Sequence, residues 1–402
     1  MADEERLLTT AEVARRLDVK PETVYAYVSR GQLRSIRSGR RRESLFDPDD
    51  VDRLVERTRQ GRSPSGAIER IRTELTLLER DELYYRGHRA TDLARTHSFE
   101  AVAHLLWTGD LAQPAPFEAP AELADVVAAG IDGLPATVRL TDRIRVAVAV
   151  AAAADPLRYD LSPVGVVRRA ESLLAVLVDA LSPDPSRGPR TLAARLWPAL
   201  ASRPRAARPA EAALLDLLLV VLADHDLAVS TLAARVAASA RAHPYAVVSA
   251  GLGAMDGPYH GTASTLAHQF LREALPDPVG ALSDRLRGDT PIPGYGHRIY
   301  QGRDPRAELV LTVLRDHEAA APVLATVDAI THGLAGRPGA FPNVDLALAA
   351  VMHAFDLRSD AGEGVFALAR TVGWIAHALE EYRGPGLRFR AEGVYAGRRP
   401  SP

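Results

Sequence analysis

The sequence predicts an all-α chain in which a small N-terminal unit precedes a large helical body. Three observations support this fold class. Apolar residues recur at helical spacing in long segments after residue 67, convincing β alternation is scarce, and proline clusters separate the segments. The predicted helical segments are 98–107, 142–154, 164–181, 210–224, 230–241, 345–357 and 363–382. A chain of 402 residues is long enough for two or three folded units.

The composition excludes several classes of function. The 49 basic and 51 acidic residues nearly cancel, which argues against a basic nucleic-acid coat or an acidic disordered tail. The chain has no cysteine, so thiolate catalysis, disulfides, Cys-ligated zinc and Cys-held iron–sulfur clusters are excluded. The first residues lack an apolar signal core, and the longest apolar run near the middle of the chain is too short to span a bilayer. We therefore expect a cytoplasmic protein with no membrane partner.

Residues 1–60 are polar and charge-dense, and they predict two short helices joined by a tight turn. The first helix is expected over residues 11–17 after a threonine cap, and Pro21 begins the second. Six arginines then fall within residues 30–42 with no acid among them, where a hairpin wing is expected. This pattern is typical of a helix-turn-helix followed by a basic wing.

The N-terminal unit resembles the winged helix-turn-helix of MerR-type regulators and phage excisionases. The matching segments are Thr-Ala-Glu-Val-Ala-Arg-Arg-Leu-x-Val-Lys at 10–20, Thr23-Val24-Tyr25 and Arg30-Gly31-x-Leu33. The resemblance implies that the second helix enters the major groove of double-stranded DNA and that the wing meets the backbone. The candidate DNA contacts are Tyr25, Tyr27 and Arg30 for bases, and Arg40, Arg41 and Arg42 for phosphates. The alternative is a small module whose arginines are solvated or bind a protein.

Four segments in the second half of the chain place histidine or aspartate in loop-like settings. They are Ala223-Asp224-His225-Asp226, Gly257-Pro258-Tyr259-His260-Gly261, Pro293-Gly294-Tyr295-Gly296-His297-Arg298 and Phe341-Pro342-Asn343-Val344-Asp345. No compact metal-ligand spacing occurs and nearby arginines would repel a cation, so we expect no metal. Arginines beside two histidines and one carboxylate suit a small di- or tricarboxylate. The carboxylate could abstract a carbon-bound proton, while neutral histidines donate hydrogen bonds to an enolate and a carbonyl.

The region from about Ser65 to Arg399 resembles citrate synthase. The matching motifs are Tyr85-Arg86-Gly87-His88-x-x-x-Asp92-Leu93-Ala94, Gly257-Pro258-x-His260-Gly261, Gly294-Tyr295-Gly296-His297-Arg298-Ile299-Tyr300 with Asp304-Pro305-Arg306-Ala307, Pro342-Asn343-Val344-Asp345 and Ala369-Arg370-Thr371-Val372-Gly373-Trp374. After a linker at 61–66, the resemblance implies an all-α citrate synthase-like domain over residues 67–402. It also implies a small subdomain at roughly 262–358 that closes over substrate, a homodimer, and no cofactor, since the CoA thioester is a substrate.

The resemblance also assigns roles to single residues. Asp345 would take a methyl proton from acetyl-CoA, His260 would hydrogen-bond the enolate, and His297 would polarise the oxaloacetate carbonyl. The residues that would hold the oxaloacetate carboxylates are His225, Arg306 and Arg370, with Arg390 of the partner subunit. The CoA adenine would lie against the backbone of Pro293, Gly294, Tyr295 and Gly296. Citryl-CoA would then be hydrolysed to citrate and CoA.

Some positions depart from the family pattern, although every proposed proton-transfer residue remains. Thr262 and Ser264 stand beside His260 where the family usually has Gly and Asn, Ala228 replaces an Asn, and Gln301 replaces a basic residue. After Asp345, the usual aromatic-Tyr-Ser-Gly is Leu346-Ala347-Leu348-Ala349.

Three functions stay open at this point. They are a citrate synthase with a fused DNA-binding or dimer-modulating domain, a 2-methylcitrate synthase or related condensing enzyme, and a metabolite-sensing regulator without turnover. A sensor does not need proton-transfer residues, so the retention of Asp345, His260 and His297 favours an active enzyme.

Overall fold

The computed structural model describes residues 7–17, 19–29, 33–37, 44–48, 50–51, 71–112, 114–182, 190–257 and 261–389. The chain divides into an N-terminal unit that ends at Arg72 and a large unit that begins at Thr73. The linker predicted at 61–66 lies outside the described residues. Within the described ranges, no helix is both long enough and apolar enough to cross a bilayer.

The N-terminal unit combines two short helices with a small sheet. Its elements are β1 (Leu8–Thr9), α1 (Thr10–Leu17), α2 (Pro21–Ser29), β2 (Ile36–Arg37) and β3 (Ser44–Phe46). The strands pair antiparallel in the order β1-β3-β2. The two predicted helices are confirmed, and β2 and β3 form the arms of the predicted wing, whose tip lies outside the described residues.

A reciprocal cap fixes the start of α1. The Glu12 carboxylate accepts hydrogen bonds from the Thr9 amide (2.8 Å) and hydroxyl (2.9 Å), and the Glu12 amide donates to the Thr9 hydroxyl (3.3 Å). This capping box satisfies amides that the first turn of a helix leaves unpaired. The unit has its own apolar core, formed by Val13, Ala14, Leu17, Val24, Leu33, Phe46 and Val51.

The large unit opens with a three-stranded antiparallel sheet that the sequence did not predict. Its strands are β4 (Thr76–Glu79), β5 (Glu82–Tyr85) and β6 (His88–Arg89), in the order β4-β5-β6. Leu83 and Tyr85 are buried and alternate with the partly exposed Glu82 and Tyr84. The longest of these strands has four residues, too few for alternation to stand out in a helical sequence.

Helices form the rest of the described large unit, apart from one 3₁₀ turn at Glu318–Ala320. They are α3 (Ala90–Thr96), α4 (Phe99–Thr108), α5 (Ala121–Asp132), α6 (Leu140–Ala154), α7 (Pro163–Leu181), α8 (Leu192–Leu200), α9 (Pro209–Leu222), α10 (Val229–Ser239), α11 (Pro244–Met255), α12 (Ala263–Ala274), α13 (Pro278–Arg287), α14 (Pro305–Leu314), α15 (Ala321–Gly333), α16 (Val344–Ala354) and α17 (Ala361–Arg383). All seven predicted helical segments are confirmed, because each overlaps one of these helices with ends displaced by three residues at most.

Helix α17 is buried over almost its whole length, and Gly373 sets its distance from the segment that leads to His225. The Gly373 amide donates to the Ala223 carbonyl at 3.0 Å. A Cβ atom on Gly373 would lie 2.3 Å from Asp224 Oδ1 and 2.6 Å from the Ala223 carbonyl oxygen. Only glycine permits this approach, so Gly373 brings the segment that carries His225 against the helix that carries Arg370.

We expect Gly373→Ala to destabilise the protein by about 1–3 kcal/mol, because the new methyl group forces α17 away from the buried 223–225 segment. Gly133→Ala is the matched control, since Gly133 has φ −73° and a Cβ atom added there would meet no other atom within 4 Å. The control should change stability by less than about 1 kcal/mol. Thermal unfolding of both variants checks this, and equal melting temperatures would contradict the proposed close approach.

Candidate active site

The structure brings together five of the seven residues predicted to carry the chemistry. They are His225, His297, Arg306, Asp345 and Arg370, whose charges act on one another closely enough to change their pKa values. His260 and Arg390 lie outside the described residues, so their predicted roles stay predictions. The five residues come from the segment after α9, the loop before α14, and helices α14, α16 and α17.

The rings of His225, His297 and Tyr300 contact one another. The His225 Nε2 atom lies 3.0 Å from the Tyr300 hydroxyl, and the two histidine rings are 5.3 Å apart between centroids. Burial, together with the positive charge of Arg306, lowers the pKa of His225 well below its usual range. The same two causes lower the pKa of His297 to about 4. Both imidazoles are therefore neutral at pH 7.

The hydrogen bonds of His297 determine which ring nitrogen carries its proton. The backbone amides of Ile299 and Tyr300 both donate to Nδ1, at 3.1 and 3.2 Å. Because Nδ1 accepts these bonds, the proton of the neutral ring is on Nε2. His297 can thus donate a hydrogen bond to a carbonyl oxygen from an uncharged ring.

Arg306 is buried and held rigidly by Asp304. Its Nε and Nη2 atoms donate to the two Asp304 oxygens at 2.9 and 2.8 Å. The Val344 amide at the start of α16 also donates to Asp304, at 2.9 Å. One carboxylate therefore orients the guanidinium and ties α14 to the helix that carries Asp345.

Arg370 is a buried cation without an ion-pair partner among the described residues. Its side chain is 1% exposed, its Nε donates to the Leu222 carbonyl at 3.0 Å, and its guanidinium lies 4.5 Å from the centre of the Phe366 ring. Burial lowers its pKa, although Asp224 and Tyr85 oppose that shift. A buried guanidinium whose charge lacks a salt bridge is suited to bind an anionic ligand.

Asp345 has the properties of a general base. Burial raises the pKa of its carboxyl to about 6, despite the opposing charge of Arg306. Within the described part of the chain no hydrogen-bond donor reaches its carboxylate. Asn343 caps the start of α16, the helix that carries Asp345. The Asn343 Oδ1 accepts from the Asp345 amide (3.0 Å), and the Asn343 Nδ2 donates to the Gly296 carbonyl (2.9 Å). Asn343 thereby joins the base to the loop that carries His297.

The glycine loop Pro293–Gly296 lies against α16 and borders a cavity. Gly294 has φ +84°, and a Cβ atom there would lie 2.7 Å from the Leu346 Cβ, so the position requires glycine. The cavity has a volume of about 310 Å³. Its lining includes Arg285, Thr290, Tyr295, Arg337, Gly339 and Ala340. At the cavity, the main chain of the loop and the Tyr295 side chain therefore lie beside two arginines.

A buried polar network beneath the site was not predicted from the sequence. Asp224 accepts from the Thr76 hydroxyl and lies 3.3 Å from His377 Nε2. His377 Nδ1 lies 2.6 Å from an Arg235 nitrogen, and Arg235 also donates to the Glu381 carboxylate at 2.5 Å. Asp224 and His377 stand in or beside the quoted motifs, and this position was the only feature of the sequence that could have indicated the network. Tyr300, Asn343 and Asp304 likewise stood within motifs but had no role assigned.

Sequence models of known families match both parts of the chain. The sequence model described as "Citrate synthase, C-terminal domain" matches residues 67–390, which is most of the chain. The chain belongs to the citrate synthase family. A second model, "Helix-turn-helix domain", matches residues 7–59.

Individual members of the citrate synthase family match most of the chain. A citrate synthase of Acidithiobacillus ferridurans is 29% identical over 350 residues, covering 78% of this chain and 89% of that protein. The protein named 2-methylcitrate synthase 2 of Corynebacterium glutamicum is 27% identical over 336 residues, covering 77% of this chain and 87% of that protein.

Solved structures of the family share the fold. The citrate synthase of Thermoplasma acidophilum, in a ternary complex with carboxymethyl coenzyme A and oxaloacetate, has a TM-score of 0.69 and 22% identity. The match covers 83% of this chain and 96% of that one. The citrate synthase of Pyrobaculum aerophilum has a TM-score of 0.70 and 22% identity, over 92% of this chain and 96% of that one.

The predicted DNA contacts of the N-terminal unit fall mostly outside the described residues. Arg30, Arg40, Arg41 and Arg42 are not described. Tyr25 on α2 is 57% exposed, whereas Tyr27 is partly buried and packs against the small core. Of the two predicted tyrosine contacts, Tyr25 therefore offers the larger surface to a ligand.

The raised pKa of Asp345 predicts a pH dependence of stability in this family member. Its folded-state pKa of about 6 exceeds the ordinary value of 3.8, so the folded protein binds the proton more tightly than the unfolded chain. The resulting stabilisation, about 3 kcal/mol, is complete below pH 4 and is lost as the pH rises through about 6. Asp345→Asn should remove this component from melting temperatures measured between pH 4 and pH 7. An unchanged pH dependence in Asp345→Asn would assign it to another group.

Proposed function

We propose that the large unit condenses acetyl-CoA with oxaloacetate to give citrate and CoA. The observation that carries this proposal is that a partly buried base, Asp345, and a neutral Nε2 donor, His297, both have their pKa values changed by the charge of the buried Arg306. The arginines Arg306 and Arg370, with His225, suit a dicarboxylate. The family membership of the chain supports the same activity.

In the proposed reaction the proton moves first. The Asp345 carboxylate removes a proton from the acetyl methyl group, and the electron pair of the broken C–H bond forms a thioester enolate. By resemblance, His260 would donate a hydrogen bond to the enolate oxygen. The Nε2–H of His297 draws electron density from the oxaloacetate carbonyl while the enolate carbon attacks the carbonyl carbon. The carbonyl oxygen takes the Nε2 proton and becomes the citryl hydroxyl; His297 then regains a proton from solvent, and Asp345 releases its proton to solvent. Water then cleaves the thioester of citryl-CoA and releases citrate and CoA.

The CoA moiety is proposed to lie along the glycine loop. The main chain of Pro293, Gly294, Tyr295 and Gly296 would meet the adenine, and the adjacent cavity of about 310 Å³ holds two arginines. Arg285 and Arg337 supply positive charge near the loop, whereas Gln301 stands where the family usually has a basic residue. Arginine forks suit phosphate groups.

A related acyl-CoA is the second candidate donor, because the chain is similar both to a citrate synthase and to a 2-methylcitrate synthase. Acetyl- and propionyl-CoA differ by one methylene, which a pocket discriminates by only about 1–3 kcal/mol. A sensor without turnover is less well supported. Binding alone would not require a carboxylate whose pKa desolvation raises to about 6.

Two substitutions separate the proposed roles of base and anchor. Asp345→Ala should lower turnover by several orders of magnitude while oxaloacetate still binds, because the base acts on the acyl donor. Arg370→Ala should instead abolish measurable oxaloacetate binding, since it removes the buried positive charge. Thiol release with acetyl- and propionyl-CoA measures turnover, and calorimetry measures oxaloacetate binding. Loss of oxaloacetate binding in Asp345→Ala, with single-turnover chemistry intact, would overturn the assignment.

We also propose a homodimer in which Arg390 completes the site of the partner subunit. Helix α10 supports a subunit contact, because Val229, Leu232 and Val236 are 69, 41 and 44% exposed and recur on one helical face. An exposed apolar stripe of this kind is typical of a protein interface.

Mixed dimers test whether Arg390 acts between subunits. His260→Ala and Arg390→Ala chains, each inactive alone, should regain about a quarter of the normal activity when unfolded and refolded together. Half of the dimers are then mixed, and each has one site with both residues intact. If Arg390 serves its own chain, no activity returns although differential tagging shows mixed dimers.

For the N-terminal unit we propose binding to double-stranded DNA. The match to a helix-turn-helix domain over residues 7–59, the exposed Tyr25 on α2 and the arginine-rich wing sequence support it. A protein partner that contacts the same arginines is the alternative.

Replacing Arg40, Arg41 and Arg42 by Ala should reduce the salt dependence of DNA binding. For each phosphate that the variant no longer neutralises, the slope of log K against log salt should flatten by about 0.9. Fluorescence anisotropy with duplex DNA at several salt concentrations measures the slope. A wild-type affinity that does not change with salt would favour the protein partner.

A further inference from the structure

The hairpin between β4 and β5 turns through two residues with left-handed backbone. Arg80 has φ 52° and Asp81 has φ 58°, and neither is glycine. A two-residue hairpin turn of this type requires positive φ at both positions and is most favourable with Asn-Gly or Asp-Gly. Non-glycine residues in this conformation cost about 1 kcal/mol or more each and persist where the side chain has a use.

The Asp81 carboxylate is hydrogen-bonded to a loop more than two hundred positions away in the chain. Its Oδ1 accepts a hydrogen bond from the Gln301 amide at 2.8 Å, and its Oδ2 accepts from the Gly302 amide at 2.7 Å. These bonds lower the pKa of the carboxyl. The approach is close, because a Cβ atom on Gly302 would lie 3.2 Å from Oδ2. Neighbouring Glu82 forms a second contact with the same loop through Arg303.

The loop that is hydrogen-bonded to Asp81 begins directly after the segment that carries His297 and Tyr300. Gln301 is adjacent to Tyr300, whose hydroxyl meets His225 and whose amide donates to His297 Nδ1. The loop ends at Asp304, which orients Arg306. The position of residues 301–303 therefore sets the position of His297 and Tyr300 on one side and of Arg306 on the other.

We propose that Asp81 is a positioning residue for the oxo-acid substrate, acting as a latch between the hairpin tip and the loop that carries His297 and Tyr300. The proposal rests on the proposed function of the site. Asp81 lies outside the segment predicted to close over substrate, roughly 262–358, whereas Gln301 and Gly302 lie inside it. The latch therefore favours the arrangement in which His297 faces the site.

The substitution Asp81→Gly removes the carboxylate that bonds to the loop but keeps the backbone conformation of the turn. Glycine adopts φ 58° without strain, so the backbone of the turn should be kept while the carboxylate and its two hydrogen bonds are lost. A residue that served only the fold would give no catalytic defect in a variant that is still fully folded at the assay temperature. Glu79→Ala is the matched control, because it removes an exposed carboxylate from the end of β4 with no described contact to the loop.

The test compares wild type, Asp81→Gly and Glu79→Ala as full-length chains. We expect Asp81→Gly to raise the KM for oxaloacetate roughly tenfold, because misplacing a substrate-binding group by about 1 Å has effects of this size or larger. Its melting temperature should stay well above the assay temperature, and hydrogen exchange at the Gln301 and Gly302 amides should accelerate toward that of an unprotected loop. Glu79→Ala should match wild type in all three measurements.

The outcomes distinguish this proposal from the function on which it rests. Wild-type protein that releases no thiol from any acyl-CoA would overturn the proposed function. The positioning role of Asp81 would still be tested in that case, by the calorimetric affinity for oxaloacetate and by amide exchange. An Asp81→Gly variant with wild-type KM or oxaloacetate affinity would overturn the positioning role. Unchanged exchange at residues 301 and 302 would show that the carboxylate does not hold the loop.

Discussion

The burial of Arg370, which forms no salt bridge within the described residues, is the constraint on which the site depends. A guanidinium withdrawn from water is costly unless neighbouring groups stabilise it. Here a carbonyl oxygen accepts its hydrogen bond and an aromatic ring lies against its charge. The extensive packing of α17, whose residues are buried almost throughout, holds Arg370 in this unfavourable place. A dicarboxylate bound as proposed would supply a negative charge next to Arg370, so the packing of the fold would prepare an anion site.

The same burial and positive charge set the protonation states around the substrate. Arg306 and desolvation keep His225 and His297 neutral, so these rings can donate hydrogen bonds without carrying charge. Desolvation acts in the opposite sense on Asp345, where it raises the pKa to about 6 and makes the carboxylate a stronger base. One environment therefore prepares both the hydrogen-bond donor and the base, because desolvation disfavours whichever form of a group is charged.

The sequence by itself determined the helical architecture and most of the residues of the site. Helical periodicity located α6, α7, α16 and α17, because their buried faces recur at 3.6-residue spacing over many turns. Glycine and proline marked the loop that carries His297 and the turn just before Asp345, because such turns need special backbone conformations. The motifs of the citrate synthase family then assigned roles that periodicity cannot give. The roles of all seven catalytic and substrate-binding residues remain predictions.

Only the tertiary structure decided how distant segments meet. Asp81 reaches Gln301, and Asp224 reaches His377, across separations along the chain that leave no local pattern. The short strands β4 to β6 escaped prediction because they offer too few residues for alternation to be visible. The pKa values of His297 and Asp345 likewise depend on burial and on Arg306, which only folding brings near. A local pattern records the backbone preference of a segment, whereas desolvation and charge depend on what the rest of the chain places around it.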